Sequence, residues 1–190
     1  MNVTDKELII RKMRSSSEDF DLLEKWLNDE EVQDYYEGKG TKYTREQIIH
    51  KFESRASGKD YVIPCIIEYL DHPIGYIQYY LLTNQELEEY GANNKDVYGI
   101  DLFIGETKHW NKGLGTKTLE LVIKYLFEEL QSTAIFIDPQ TWNHRAIRCY
   151  EKCGFRKVKV LERHELHEGV YKDNQIMMIS SEEYYRQSIR

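Results

Sequence analysis

The run Val97-Tyr98-Gly99-Ile100-Asp101-Leu102-Phe103-Ile104 is apolar except for one carboxylate, and Gly113 and Gly115 follow it. Beyond the glycines, Leu114, Thr118, Leu121, Val122 and Tyr125 recur at helical spacing, and the pattern continues to about Leu130. A buried strand that passes through a glycine turn into a one-sided helix commits the chain to a sheet with helices packed on it. The pattern then repeats. Thr133–Ile137 reads as a strand ending in Asp138-Pro139, and Asn143 can cap a helix whose Ala146, Cys149, Tyr150 and Cys153 share a face. Gly154 ends that helix as a C-terminal glycine cap, and Phe155–Leu161 and Gln175–Ile179 are the last expected strands.

The first half contributes strands and short helices. Glu7–Arg14 reads as a strand. Ser15-x-x-Glu18 resembles a capping box ahead of Phe20, Leu22, Leu23, Trp26 and Leu27, and Thr44-x-x-Gln47 precedes Ile48, Ile49 and Phe52. Tyr61–Leu70 and Ile74–Leu82 read as strands joined at Asp71-His72-Pro73, and the polar stretch Thr83–Lys95 reads as a loop. The order, a β-meander and then β-α-β-α-β, implies an α/β protein with one mixed sheet. With 190 residues and no repeat, residues 1–190 are expected to form a single domain.

A hydrophobic fraction of 41% argues against disorder, and no apolar run reaches membrane-spanning length. The start, Met1-Asn2-Val3-Thr4-Asp5-Lys6-Glu7, lacks the basic-then-apolar pattern of a secretory signal, so a cytoplasmic protein is expected, with no membrane partner. The net charge of −7 argues against a nucleic-acid partner and permits a cationic one. Fifteen tyrosines suit a cleft for a polar ligand, or simply many strands. Cys65, Cys149 and Cys153 read as small core residues. His164-Glu165-Leu166-His167 does not have the H-E-x-x-H zinc spacing, so no metal is expected.

The glycine turn lies in Trp110-Asn111-Lys112-Gly113-Leu114-Gly115-Thr116-Lys117. First-turn N–H groups and the positive end of a helix favour phosphate. Residues 108–124 hold four lysines against one glutamate, a local +3 in an acidic chain. The string is not a Walker loop, and Thr118 stands where a dinucleotide fingerprint needs its third glycine. Asp101 is the strongest catalytic candidate, because a carboxylate inside an apolar strand needs a partner or a task. Two stretches are strongly acidic. Residues 18–37 carry nine carboxylates against Lys25, and residues 85–101 carry five against Lys95. Glu18, Asp21 and Glu24 read as a solvated helix face.

Lys112-Gly113-Leu114-Gly115-Thr116 resembles the acetyl-CoA loop of the GCN5-related N-acetyltransferases (GNAT). Asn143 through Phe155, with its Asn cap, helical Tyr150 and terminal Gly154-Phe155, resembles the second half of that pattern. Trp110 stands where the family commonly has Gln or Arg. Pro73-Ile74-Gly75-Tyr76-Ile77-Gln78, Tyr98-Gly99-Ile100-Asp101, Asp138-Pro139 and Arg145-Ala146-Ile147-Arg148-Cys149-Tyr150 resemble the aminoglycoside 6′-N-acetyltransferases. His164 through Gly169 is similar to the acetyltransferase half of the bifunctional acetyltransferase–phosphotransferases, whose second half is not expected in this chain.

The resemblance implies a mixed, mostly antiparallel sheet, splayed in the middle and flanked by helices on both faces. It implies direct acetyl transfer from acetyl-CoA to the 6′-amine of a polycationic aminoglycoside, by a monomer or homodimer. Asp101 and Tyr150 would be catalytic, Tyr150 giving a proton to the leaving sulfur. The backbone of Leu102, Phe103 and Ile104, the loop Lys112, Gly113, Leu114, Gly115, Thr116 and Lys117, and Asn143 with Ala146 would hold acetyl-CoA. Tyr36, in the stretch Asp34-Tyr35-Tyr36-Glu37, would line the acceptor site with Gln78, Tyr80, Tyr98, Asp101, Asp138 and Glu168. Other acceptors, a protein N-terminus or a polyamine, remain open on these residues, as does a non-catalytic acyl-CoA-binding module.

Overall fold

The computed structural model describes residues 2–36, 38, 40 and 42–188. Among these lie eight strands and seven α-helices. In chain order they are β1 Asn2–Asp5, β2 Leu8–Lys12, α1 Ser17–Leu27, α2 Glu30–Gln33, α3 Arg45–Ala56, β3 Ile63–Tyr69, β4 His72–Leu81, α4 Asn84–Tyr90, β5 Val97–Ile104, α5 Leu114–Glu128, β6 Ala134–Ile137, α6 His144–Lys152, β7 Arg156–His167, β8 Val170–Ser180 and α7 Ser181–Ser188. The pairs β1–β2, β2–β3, β3–β4, β6–β8 and β7–β8 are antiparallel, and β5–β6 is parallel. The expected mixed, mostly antiparallel α/β architecture is therefore present. No helix among the described residues is long and apolar enough to cross a membrane.

The chain divides into two compact units, Met1–Tyr80 with Asp101–Thr118, and Leu81–Ile100 with Leu119–Arg190. The first has strand order β1-β2-β3-β4-β5 and the second β5-β6-β8-β7, with each unit taking half of β5. The core of the first unit gathers Met13, Phe20, Leu23, Trp26, Leu27, Val32, Ile48, Phe52, Ile66, Tyr76 and Phe103. Gly75 on β4 is required there, since a Cβ would sit 2.4 Å from the Phe103 carbonyl oxygen. Gly105, just after β5, is required by Trp26, whose ring would lie 2.2 Å from a Cβ. Together these glycines let β4 and the Trp26 indole approach the end of β5.

The second unit buries Val122, Ile123, Leu126 and Phe127 of α5, all of β6, and Ile176, Met177 and Ile179 of β8. Its terminal helix α7 is tied to α5. Tyr184 stacks on Phe127 at 4.9 Å and donates to Glu128 Oε1 at 2.8 Å.

Local sequence explains most boundaries. Thr44 and Gln47 form the expected reciprocal capping box of α3. The N-cap of α1 is Ser16 rather than Ser15, whose hydroxyl instead reaches the Glu53 carboxylate at 2.8 Å. The stretch read as a loop from Thr83 holds helix α4, because Thr83 and Glu86 form a second capping box and Gly91 closes the helix in a left-handed conformation at φ +74°. The turn between β3 and β4 is Leu70-Asp71, both at positive φ, so His72 and Pro73 belong to the strand. The last two strands extend far beyond the expected ends and meet at Glu168-Gly169, a two-residue turn with φ +52° and +74°.

Part of the acidic stretch 18–37 holds the first unit together. Asp19 is 1% exposed, and its carboxylate accepts from Arg11 Nη1 at 2.6 Å, Arg11 Nη2 at 2.7 Å and the Arg14 N–H at 2.7 Å. Burial alone would raise the Asp19 pKa. The hydrogen bonds from Arg11 and from the Arg14 backbone outweigh it and hold the group below the usual carboxylate value. A depressed pKa contributes stability above the unfolded-state value of about 3.9 and loses it as pH falls through the folded value. Asp19→Asn is therefore expected to cost about 3 kcal/mol at pH 7, with the difference from wild type shrinking below about pH 4. Urea denaturation across this pH range checks it; a pH-independent difference would contradict the assignment.

Candidate active site

In the first unit, Asp101, Leu102, Phe103 and Ile104 form the second half of β5. Asp101 is half-buried, and its Oδ2 accepts from Gln78 Nε2 at 2.6 Å. Gln78 is 7% exposed and its amide is engaged at both ends. Its Oε1 accepts from the Tyr76 hydroxyl at 2.7 Å and from Arg55 Nη1 at 3.0 Å. Phe103 packs against Tyr36, with ring centroids 4.6 Å apart, and against Tyr76 at 5.6 Å. The expected acceptor residue Tyr36 is thus joined to the strand that carries Asp101. Tyr35 sets its ring edge against Trp110 at 5.6 Å, and Glu37 lies outside the described residues. Tyr80, half-buried at the end of β4, meets the Tyr61 ring edge-on at 6.2 Å.

Beyond β5 the backbone makes a short 3-10 turn over Thr107–His109 and then bends at Asn111 and Gly113, both at positive φ. The Lys117 N–H bonds the Gly113 carbonyl at 3.1 Å and starts α5. The first-turn N–H groups ahead of that bond point out of the helix's positive end, where an anion is favoured. Gly113 needs glycine for its φ of +77°, and a Cβ there would meet nothing within 4 Å. Lys112, Gly113 and Lys117 are exposed, Gly115 and Thr116 half-buried, and Leu114 anchors the turn in the core. An exposed, glycine-opened helix start between two lysines fits a pyrophosphate. Trp110, the departure from the family pattern, donates its indole N–H to the Ile104 carbonyl at 2.7 Å. It ties the glycine turn to the end of β5.

In the second unit, Asp138 follows β6 and is half-buried. Its Oδ2 accepts from the Tyr90 hydroxyl at 3.3 Å and from Asn174 Nδ2 at 3.4 Å, and its carbonyl accepts from Asn174 Nδ2 at 2.9 Å. Asn174, 2% exposed, also reaches Glu165 Oε2 at 3.3 Å. Gln140 Nε2 donates to the same Glu165 oxygen at 2.8 Å and faces His167 Nδ1 at 3.2 Å, while Gln140 Oε1 accepts from Trp142 Nε1 at 2.6 Å. Gln140, Glu165 and Asn174 form a polar network beside Asp138 that no sequence motif marks. The one available signal was the Glu168-Gly169 pair between Leu166 and Val170, which marks a hairpin and would have extended β7 and β8 to include them.

Asn143 caps α6, its Oδ1 accepting from the Ala146 N–H at 3.1 Å. Tyr150 is buried one turn later, its ring 6.2 Å from Phe155. Cys65 is buried as expected, whereas Cys149 and Cys153, four positions apart at the end of α6, are half-buried rather than in the core. The hydrogen bond from Cys149, with burial, drives the Cys153 thiol upward, away from thiolate. Tyr98 is half-buried, and burial together with Asp96 raises its hydroxyl. Glu168 is exposed in the hairpin turn. His164 and His167 lie on strand β7, and each has its own partner: His164 Nδ1 faces Glu89 at 3.4 Å and His167 Nδ1 faces Gln140.

The profile of the acetyltransferase (GNAT) domain matches residues 15–163. An aminoglycoside N(6′)-acetyltransferase type 1 from Klebsiella pneumoniae is 32% identical over 142 residues, covering 73% of this chain and 70% of that protein. The crystal structure of the aminoglycoside acetyltransferase AAC(6′)-Ib with coenzyme A superposes with a TM-score of 0.77 at 27% identity, covering 95% of this chain and 99% of the other. The same enzyme with coenzyme A and kanamycin gives a TM-score of 0.77 at 26% identity, with 95% and 99% coverage. The carboxylate on β5, the open glycine turn at α5 and the capped α6 are thus carried on a matching fold, and the chain belongs to the GNAT family of acetyltransferases.

Proposed function

We propose that this chain is an acetyl-CoA-dependent aminoglycoside 6′-N-acetyltransferase that confers antibiotic resistance, working in the cytoplasm where acetyl-CoA is available. The observation that carries the reading is Asp101. It is a half-buried carboxylate, oriented by a neutral amide, on the strand that leads through the glycine turn into the positive end of α5. The relatives that act on or bind aminoglycosides, kanamycin and ribostamycin among them, support the choice of acceptor.

The chemistry makes three demands. The thioester carbonyl must be polarised, and a backbone N–H near Leu102 and Phe103 would serve, a contribution of about 3–4 kcal/mol at the transition state. The amine must arrive neutral and aligned. Asp101 would bind the 6′-ammonium and take its first proton, directly or through water, so that the neutral nitrogen can bond to the carbonyl carbon; the second nitrogen proton would pass to solvent as the amide forms. The carbon–sulfur bond then breaks, and the Tyr150 hydroxyl would protonate the departing sulfur. Lys112 through Lys117 would hold the pyrophosphate, with Asn143 and Ala146 on the pantetheine arm. Tyr36, Tyr80, Tyr98, Asp138 and Glu168 would meet the rings and ammonium groups of the drug, and Gln78 would act at the 6′ position beside Asp101.

Release of the coenzyme A thiol, followed with kanamycin and with an analogue bearing a 6′-hydroxyl, tests the reading. Turnover with kanamycin alone is expected. Turnover with both would refute 6′-amine specificity, and turnover with neither would refute the acceptor class. Asp101→Ala should lower kcat by about 10²–10⁴ and leave coenzyme A affinity, measured by calorimetry, within about twofold. Tyr150→Phe should lower kcat by about 10² with little change in the KM for acetyl-CoA. An unchanged kcat would remove Tyr150 from the proton path.

A further inference from the structure

The Gln78 amide has both its ends assigned by its surroundings. Its oxygen takes the Tyr76 hydroxyl at 2.7 Å and Arg55 Nη1 at 3.0 Å, and its nitrogen gives to Asp101 Oδ2 at 2.6 Å. Flipping the amide would set its N–H groups against two donors and its oxygen against a carboxylate, so all three bonds would be lost together. Tyr76 is fully buried, and burial lifts its hydroxyl far above the usual phenol value, so it stays a donor across the working pH range. Arg55, in the last turn of α3, is braced in turn. Its guanidinium lies 5.7 Å over the Phe52 ring, and its Nε is 3.9 Å from Asp60 Oδ2. Asp60 is itself fixed by accepting from the Val62 N–H at 3.0 Å. Besides Asp101, the titratable and charged groups that face Tyr76 are Arg55 and Cys65, and Asp60 partly offsets the charge of Arg55.

We propose that Arg55 is a positioning residue for acetyl transfer: acting through Gln78 and together with Tyr76, it fixes the orientation of the Asp101 carboxylate and keeps it ionised. The inference rests on the reading of Asp101 as the group that receives the acceptor amine. An N–H from Gln78 and a nearby cation both favour the charged carboxylate. Without Arg55, the Gln78 oxygen keeps only the Tyr76 donor, so the amide is held less firmly and its N–H bond to Asp101 weakens, while the cation that favours the charged carboxylate is gone. A carboxyl group with a weakened donor holds its proton more tightly, and it is then a poorer partner for an ammonium.

The test uses Arg55→Met, which keeps an unbranched stem against Phe52 and removes the donors and the charge. Two readouts are compared with wild type: the pH profile of kcat/KM for kanamycin at saturating acetyl-CoA, and the Asp101 titration followed by carbon-13 NMR in the unliganded protein. Arg55→Met should lower kcat/KM by about 10- to 100-fold near neutral pH. It should move the acid limb of the profile, and the Asp101 pKa, up by about one unit. The KM for acetyl-CoA should not change. Arg55→Lys should recover part of the loss, and Tyr76→Phe should shift Asp101 in the same direction by less. Loss of activity with neither the acid limb nor the Asp101 titration moved would reduce Arg55 to a structural role and overturn the proposal, as would an Arg55→Met enzyme equal to wild type. An Asp101 shift in variants of a wild-type protein that does not acetylate kanamycin would uphold the control of Asp101 and overturn the acceptor assigned under the proposed function.

Discussion

A carboxylate set into an apolar strand must be compensated, and much of the first unit is arranged around that need. Burying an ionised carboxyl group without partners costs several kcal/mol or forces it to take a proton. Here Gln78 supplies a hydrogen bond to Asp101, and the amide can do so only because Tyr76 and Arg55 occupy its other end. Those two side chains are fixed by the core itself. Phe52 meets Tyr76 edge-on at 5.6 Å and lies beneath Arg55. The chain of cause runs from helix α3 through the core to one oxygen on β5, so packing and site chemistry share residues.

The glycine turn depends on the same strand. Trp110 reaches back to the Ile104 carbonyl, and Gly105 hydrogen-bonds the Ile74 carbonyl at 2.8 Å, so the chain leaves β5 along a fixed path before α5 begins. Glu106 adds a further tie, accepting from the Trp26 indole at 2.9 Å and from Lys25. Burial would raise its pKa, and the bonds from Lys25 and Trp26 hold it below the usual value instead. A helix start intended for an anion has to be presented rigidly, since a loop that wanders loses the aligned N–H groups on which phosphate binding relies. The Trp110 side chain, bonded to the Ile104 carbonyl, fixes the turn.

The sequence made visible whatever repeats at short range. β5 was legible to the residue because eight positions, seven of them uncharged and one a carboxylate, have few alternatives, and the caps at Thr44 and Asn143 were legible because a side chain and a helix start lie three residues apart. Asp101, the glycine turn and the capped α6 could be placed for the same reason. Helix α4 was obscured by its polarity: its stability comes from a capping box, a left-handed glycine and Tyr90 rather than from an apolar stripe. The long β7–β8 hairpin was obscured because much of β7 is exposed, which removes the alternation that marks a half-buried strand. The polar network of Gln140, Glu165 and Asn174 depends on that hairpin's register, and the link from Arg55 to Asp101 spans 46 positions. Long-range pairing of this kind leaves no periodic trace.

Charge makes the same point about what a linear count can mean. Residues 18–37 appear as a dense acidic stretch, suited to a polycation, but folding assigns several of these groups elsewhere. Asp19 is locked to Arg11, Asp29 caps α2, and Asp21 and Glu24 pair with Arg45. In the second stretch Glu86 caps α4 and Glu89 meets His164. A carboxylate already paired with a guanidinium adds little to attraction at a distance, since the pair is nearly neutral as a whole. The long-range field that draws a cation inward therefore follows the net charge of −7. On the proposed reading, recognition at close range would fall to Asp101 and Asp138, each of which accepts hydrogen bonds from neutral donors. Asp101 is held by an amide, and Asp138 by a phenol and an amide. Folding thus separates the acidic residues spent on caps and guanidinium pairs from those that accept from neutral groups, a distinction that no count along the sequence can draw.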